Sequence, residues 1–157
     1  MRVVIVGRDR EVIDPLSDKL SRENFEVVVV ENSAGVQSCL KKGSIQFLVA
    51  EVSLLVDRSL GREVMKRCPL ARLIALAAKP SLLGMVDALS VGLTDYFPRS
   101  PEYFDEIVRT IVQERVRLVR WQRILLSGAE MPSLDLPAPE TAEDLADDPF
   151  ENEFVEI

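Results

Sequence analysis

The sequence predicts an α/β fold built on a doubly wound parallel sheet, and three observations indicate this class. Short runs rich in valine, isoleucine and leucine alternate with segments of helical period. Each run has the length of a strand that is buried on both faces. Five such alternations occur in roughly the first 125 residues, and right-handed crossovers between parallel strands then place helices on both faces of the sheet.

The predicted strands are five short apolar runs. They cover residues 2–6, 25–30, 46–52, 73–77 and 95–97. In open parallel sheets, functional sites lie at the carboxyl ends of the strands. The residues that follow Val6, Leu76 and Phe97, together with the surroundings of Glu51, are therefore expected to share one edge of the sheet.

Four predicted helices separate the strands. They cover residues 11–21, 33–42, 58–67 and 81–91. The second of them has Ser33 as its expected N-cap and Gly43 as its stop. Pro69 and Gly92 follow the third and fourth, where a helix ends.

A fifth helical pattern follows Pro101, begins at Asp105 and runs to about Ser127, before Gly128. It is longer than a small sheet needs, so the apolar residues after Val112 are expected to lie beyond the sheet and to require a partner. We predict that partner contacts are made by Arg115, Leu118, Val119, Trp121 and Leu125.

Charge divides the chain into two predicted parts. Residues 1–128 contain 19 basic and 16 acidic side chains, whereas residues 129–157 contain ten acidic side chains and no basic one. We predict one domain over 1–128, including the long helix, and a disordered acidic tail over 129–157. The tail is a spacer, a flap over the arginines of the long helix, or a linear motif read by another protein.

The composition argues against most hydrolase chemistry. The chain has no histidine, which removes the most common general base and metal ligand. Cys39 and Cys68 stand alone in separate segments, so they predict neither a disulfide framework nor a metal motif. Apolar runs are too short for a signal peptide or for the ~20 residues of a spanning helix. We expect a cytoplasmic protein that is not an enzyme and has no metal, cofactor or membrane partner.

Three segments carry a resemblance to a known family. They are GREVMKRCP at 61–69, LIALAAK at 73–79 and VDALSVGLTDY at 86–96. In order and spacing they resemble the second half of a bacterial response-regulator receiver domain, and the similarity covers roughly residues 1–115. The resemblance implies a (βα)5 flavodoxin-like fold and a role in two-component signalling.

The resemblance also implies a functional position for individual residues. The phosphoacceptor aspartate of the family corresponds to Glu51, and the acidic pair that holds Mg²⁺ corresponds to Gly7 and Arg8. The hydroxyl residue on the fourth strand, the switch aromatic and the site lysine correspond to Ala77, Tyr96 and Arg99. Of these positions, Tyr96 alone keeps the residue type that is usual in the family.

These replacements predict a degenerate site. Mg²⁺ requires a shell of oxygen ligands, and Arg8 places a positive charge where the ion would lie. A shift of one residue would bring Asp9 into the pair, but Glu51 and Ala77 would still differ from the family. Without the ion the charge of a transferred phosphoryl group is not neutralised, so we expect no phosphorylation of Glu51.

The predicted function is therefore that of a pseudo-receiver that binds another protein, a second copy of itself, or both. Glu51 is either paired with Arg99 or Arg8 as a built-in mimic of the phosphorylated state, or a solvated remnant. The alternative is a transcription-linked regulator that binds nucleic acid through the long helix. Because the acidic tail would repel nucleic acid and no separate DNA-binding unit is evident, we do not expect a nucleic-acid partner.

Overall fold

The computed structural model describes residues 1–56, 60–90 and 92–127. Its strands are β1 (Arg2–Val6), β2 (Glu26–Val30), β3 (Phe47–Glu51), β4 (Arg72–Ala77) and β5 (Asp95–Pro98). They form one parallel sheet with the order β2-β1-β3-β4-β5. This confirms the predicted parallel sheet, and no predicted strand end is displaced by more than one residue.

Within the described residues there are six α-helices. They are α1 (Arg10–Arg22), α2 (Ser33–Lys42), α3 (Val52–Val56), α4 (Leu60–Arg67), α5 (Leu82–Ser90) and α6 (Phe104–Leu126). A 3-10 turn, Pro101–Tyr103, leads into α6. The short α3 was not predicted, and the predicted start of the next helix at residue 58 lies outside the described residues.

Side-chain caps fix the starts of the first two helices. The Asp9 carboxylate accepts a hydrogen bond from the backbone N–H of Glu11 at 3.2 Å. Asn32 accepts one from the backbone N–H of Gly35 at 3.1 Å. The prediction of Ser33 as N-cap is therefore wrong by one residue, because the asparagine before it supplies the oxygen and Ser33 is already helical.

The core lies on both faces of the sheet, as alternation along the strands requires. On β1, Val3 and Ile5 belong to a cluster with residues of α1 and α6. Val4 and Val6 belong to a second cluster with residues of α2, α4 and α5. The sheet is thus covered by α1 and α6 on one face and by the other helices on the opposite face.

The buried side of α6 continues further along the helix than predicted. Leu118 is only 1% exposed and belongs to the same cluster as Ile107 and Ile111. Intervals of four and seven residues bring these three side chains to one face of the helix. The prediction that Leu118 lies beyond the sheet and contacts a partner is therefore wrong, whereas Val119 and Trp121 are exposed as predicted.

The chain divides into two units, residues 1–122 and 123–157. The first contains the whole sheet. In the second the structure describes residues 123–127, which include the exposed Leu125 and in which Ser127 donates its backbone N–H to the carbonyl of Arg123 at 3.0 Å. The predicted helix stop at Gly128 and the predicted acidic tail over 129–157 lie outside the described residues.

Among the described residues, no helix has both the length and the apolar character needed to cross a membrane.

Candidate functional site

The carboxyl edge of the sheet brings together an acidic and a basic side chain. Glu51 is the last residue of β3, and Arg99 follows directly after β5. The Arg99 backbone N–H donates to the carbonyl of Ala77 at 2.8 Å, which fixes this residue beside the end of β4. Its guanidinium donates through Nη1 to Glu51 Oε1 and forms an ion pair. Of the two partners that the sequence left open for Glu51, the structure therefore selects Arg99.

The residues after β1 are engaged elsewhere. Arg8 Nε lies 3.8 Å from Oε2 of Glu31, and both side chains are largely exposed. The Asp9 carboxylate caps α1. Gly7 donates its backbone N–H to the carbonyl of Val30 at 2.9 Å. A Cβ at Gly7 would lie 3.0 Å from Cδ1 of Ile13, so a bulkier residue would push against α1.

Tyr96 connects β5 with the start of α5. Its hydroxyl oxygen accepts a hydrogen bond from the backbone N–H of Ser81 at 3.2 Å. The ring is half-buried against the core cluster that includes Ala75 and Ala88. Ala77, which ends β4, is buried and offers no hydroxyl to this edge. The sequence identified Tyr96 and Ala77 as site positions, but it did not predict the hydrogen bond between Tyr96 and Ser81.

No family model and no curated protein matches the chain. Solved structures with the same fold were found. The chain is similar to a CheY-like response regulator receiver domain protein from Methanospirillum hungatei. Identity is 18%, the TM-score is 0.66, and the match covers 76% of this chain and 96% of that chain. It is also similar to the signal receiver domain of an HD domain-containing protein from Pseudomonas fluorescens, at 16% identity, with a TM-score of 0.66 and coverage of 76% and 97%.

A third solved structure is a response regulator from Burkholderia pseudomallei that contains a phosphorylated aspartic acid, a calcium ion and citrate. Identity is 19%, the TM-score is 0.61, and the match covers 79% of this chain and 81% of that chain. The chain has the receiver fold. At these identities the likeness concerns the fold, and the chemistry of the site depends on the residues that this chain itself provides.

The donor set does not fit the Mg²⁺ ion that receiver domains hold. In residues 1–56, 60–90 and 92–127, no three His, Cys, Asp or Glu side chains are grouped so that they could hold a metal ion. Gly7 has no side-chain oxygen, Arg8 is cationic, and the carboxylate of Glu51 is paired with Arg99. The oxygen shell that Mg²⁺ demands is thus missing from these positions of the receiver fold.

Two cavities adjoin the ion pair. One, of about 320 Å³, is lined in part by Glu51, Lys79, Ser81, Asp87 and Tyr96. The other, of about 30 Å³, is lined by residues that include Arg8, Asp9 and Arg99. The sequence analysis did not identify Lys79, Ser81 or Asp87, although Lys79 stands two residues after the fourth strand and could have been noticed there. These residues add both a cation and a carboxylate to the cavity beside Glu51.

The residues predicted to bind a partner lie on α6 and divide into two groups. Arg115 donates from Nη1 to the carbonyl of Glu23 at 2.8 Å, and its guanidinium lies 4.7 Å from the ring centre of Phe25. It is therefore held by its own domain, as the buried Leu118 is. Val119 and Trp121 remain exposed.

Proposed function

We propose that the chain is a non-catalytic pseudo-receiver, a signalling or scaffolding module that acts through protein–protein interaction without phosphorylation. The observation that carries this proposal is the ion pair between Glu51 and Arg99 at the edge where a receiver fold holds its phosphoacceptor. A glutamate carboxylate is already an anion at this position, and its countercharge comes from the protein itself. Such a module would present one conformation of this edge continuously.

The charges at the site support the absence of phosphoryl transfer. A transferred phosphoryl group carries negative charge that must be neutralised, and catalysis is largely a matter of that electrostatic term. Here Arg99, which stands at the position of the family's site lysine, is occupied by the Glu51 carboxylate. A second anion placed beside Glu51 would be repelled unless the pair opened.

Incubation with acetyl phosphate and Mg²⁺, followed by intact-mass spectrometry, tests this part of the proposal. We expect no phosphorylated species from the full chain, whereas a phosphorylatable receiver domain treated in parallel is modified. The matched variant is Glu51→Gln, which keeps the shape of the side chain and removes its charge. A phosphorylated parent whose adduct is lost in Glu51→Gln would contradict the proposal.

The exposed side of α6 supports an acidic protein as the partner. Val116, Val119 and Trp121 are exposed apolar side chains, and Arg117 and Arg120 lie among them on the same helix. Large apolar side chains combined with arginine are typical of interface residues that contribute most to binding. The positive charge selects a partner with a complementary acidic face and increases the rate of encounter.

Affinity capture from a lysate with the full chain as bait tests this surface. We expect a partner that is retained by the parent and by Leu70→Ala, and is lost or weakened with Trp121→Ala. Leu70 is the matched control because it is an exposed apolar residue outside α6. Equal recovery with both variants would show that α6 is not the docking surface.

The arginines of α6 support a second candidate function, a transcription-linked regulator that binds nucleic acid. Contacts with phosphates would give binding that weakens steeply as salt increases. A titration of duplex DNA at two salt concentrations separates the candidates. We expect no salt-dependent binding by the full chain, because its tail contributes ten acidic and no basic side chains.

A further inference from the structure

A cavity of about 250 Å³ lies at the amino end of the sheet, away from the edge that holds Glu51. Its wall is formed by the loop before β3, with residues 44–46, by the end of α4 and the loop after it, with residues 67–71, and by α6, with Leu118 and Gln122. All of these residues belong to the first unit of the chain. None of the site positions that the resemblance identified lines this cavity, so its chemistry depends on other residues.

The buried part of the wall is apolar. Ile45, Ala71 and Leu118 are 1%, 3% and 1% exposed. Leu118 belongs to the core cluster on one face of the sheet, and Ile45 and Ala71 belong to the cluster on the other face. The cavity therefore reaches the end of both core layers, and Leu70, which is 41% exposed, lies at its outer rim. Small-molecule sites usually have this form, an apolar cavity with a few polar groups.

Hydrogen bonds hold the two loops of the wall in place. The backbone N–H of Arg72 donates to the carbonyl of Gln46 at 2.8 Å, which joins the loops where β3 and β4 begin. The backbone N–H of Ala71 donates to the carbonyl of Cys68 at 2.9 Å. The Gln46 side chain donates from Nε2 to Ser44 Oγ at 2.8 Å. A ligand would therefore enter a wall that is already ordered, which favours binding.

Arg67 gives the cavity its charge. Of the described residues that line it, Arg67 is the only charged one. Its side chain is exposed and forms no ion pair with any residue that the structure describes. A guanidinium binds a carboxylate through two parallel hydrogen bonds, which makes arginine selective for that group. The cavity therefore matches a ligand that combines one carboxylate with an apolar body.

We propose that this cavity binds a small carboxylic acid, with its carboxylate on Arg67 and its apolar body against Ala71 and Leu118. The cavity volume lies below the ~300–1,000 Å³ of sites for drug-sized ligands, so the acid has about ten non-hydrogen atoms. A ligand of this size with one charged contact at an exposed arginine is expected to bind with a Kd of about 0.1–1 mM. This site is independent of the ion pair at Glu51 and of the exposed side of α6.

Titration of the full chain with octanoate, followed by amide NMR spectra, tests the proposal. The amide signals of residues 44–46 and of Ala71 are expected to shift and to saturate. Octanamide has the same apolar chain without the charge, and its Kd should be about fivefold to tenfold higher. Acetate has the charge without the apolar chain and should not shift these signals.

The charged contact is tested by Arg67→Gln, which should raise the Kd for octanoate about fivefold to tenfold and leave the Kd for octanamide unchanged. Lys66→Gln is the matched control. Lys66 is the neighbouring cation in the last turn of α4 and does not line the cavity, so its removal should leave both Kd values unchanged. Circular dichroism checks that both variants are folded.

The two cysteines locate the bound ligand. Both are half-buried, but Cys68 lines the cavity and Cys39 does not. At about ten times its Kd, octanoate is expected to slow the alkylation of Cys68 by iodoacetamide roughly tenfold, because the free form is depleted by that factor. The rate at Cys39 should stay the same, which makes it the internal control.

Three results would overturn the proposal. They are the absence of saturable shifts at millimolar octanoate, equal losses of affinity in Arg67→Gln and Lys66→Gln, and equal slowing of alkylation at both cysteines. The tests of the proposed function, by phosphorylation and by capture through Trp121, use other parts of the molecule. A failure of this site is therefore distinguishable from a failure of the proposed function.

Discussion

Two glutamates pair with arginines at opposite ends of the parallel strands, and their surroundings differ. Glu51 ends β3 and contacts Arg99. Glu114, on α6, contacts the first residue of β4, with its Oε2 2.9 Å from Arg72 Nε, and accepts a hydrogen bond from Arg117 Nη1 at 2.7 Å. The Glu51 side chain is 38% exposed, whereas that of Glu114 is 9% exposed.

The difference shows how burial changes the role of a carboxylate–guanidinium pair. A buried carboxylate has lost its hydration and depends on its partners, so the Glu114 cluster holds α6 to the sheet. A half-exposed pair is screened by water and contributes less to stability. We therefore expect the cluster around Glu114 to contribute more to the stability of the fold than the pair at Glu51, to which we assign a role in the proposed function.

The largest expected effect comes from Glu114→Gln. The change removes the carboxylate charge and leaves the half-buried Arg72 without its countercharge. We expect the free energy of unfolding to fall by about 2–3 kcal/mol. This is below the ~3–5 kcal/mol typical of fully buried pairs, because the Arg72 side chain keeps some contact with water. Urea melts followed by circular dichroism measure the change.

Arg117→Ala is the control for Glu114→Gln. Arg117 is largely exposed, and its removal leaves Glu114 with Arg72. We expect a loss of about 0–1 kcal/mol. If the two variants are equally stable, burial does not distinguish the Glu114 cluster from a surface pair.

The sequence contained part of the information about Glu114. It stands three residues after Ile111 and four before Leu118, which places a carboxylate on the apolar side of α6. A charged residue at such a position requires a buried partner. Arg72 is 42 positions away from Glu114 along the chain. Its pairing with Glu114 depends on how α6 lies across the sheet, and the helical period of the sequence does not determine that arrangement.

The strands were predictable because β-branched runs of a few residues have few alternatives in an α/β chain. The resemblance to receiver domains also identified Glu51 and Arg99 before any geometry was known. The choice of Arg99 over Arg8 needed the structure, since the loop after β1 directs Arg8 towards Glu31. The exposure of α5 was not predictable either, because apolar residues in a helical pattern usually indicate a core position.

A double-mutant cycle on Glu51 and Arg99 gives the next largest expected effect. Glu51→Ala leaves Arg99 without its partner and is expected to lower the free energy of unfolding by about 1 kcal/mol. The coupling energy from Glu51→Ala, Arg99→Ala and the double variant should be about 0.5–1 kcal/mol. Denaturant melts of the three variants and the parent measure it.

Arg8→Ala is the matched control in this cycle. Its guanidinium is near Glu31, so its effect should add to that of Glu51→Ala without coupling. Strict additivity of Glu51→Ala with Arg99→Ala would contradict the pair and would describe Glu51 as a solvated remnant.

The smallest expected effect belongs to a surface pair, Lys19 on α1 and Asp105 on α6. Lys19 Nζ donates to Asp105 Oδ1 at 2.7 Å. This hydrogen bond, together with the positive charge of Lys19, lowers the pKa of Asp105.

A carboxyl group whose pKa is lower in the folded chain than in the unfolded chain stabilises the fold at pH values above its unfolded pKa of about 3.9. This contribution is lost as pH falls through the folded pKa. Asp105→Asn should therefore lower the Tm slightly at pH 7, and parent and variant should converge at an acidic pH below the folded pKa of Asp105. Thermal melts at both pH values measure the two differences, with Asp14→Asn as a comparison from a surface pair within α1. A Tm difference that is the same at both pH values would show that the contact with Lys19 does not depend on the charge of Asp105.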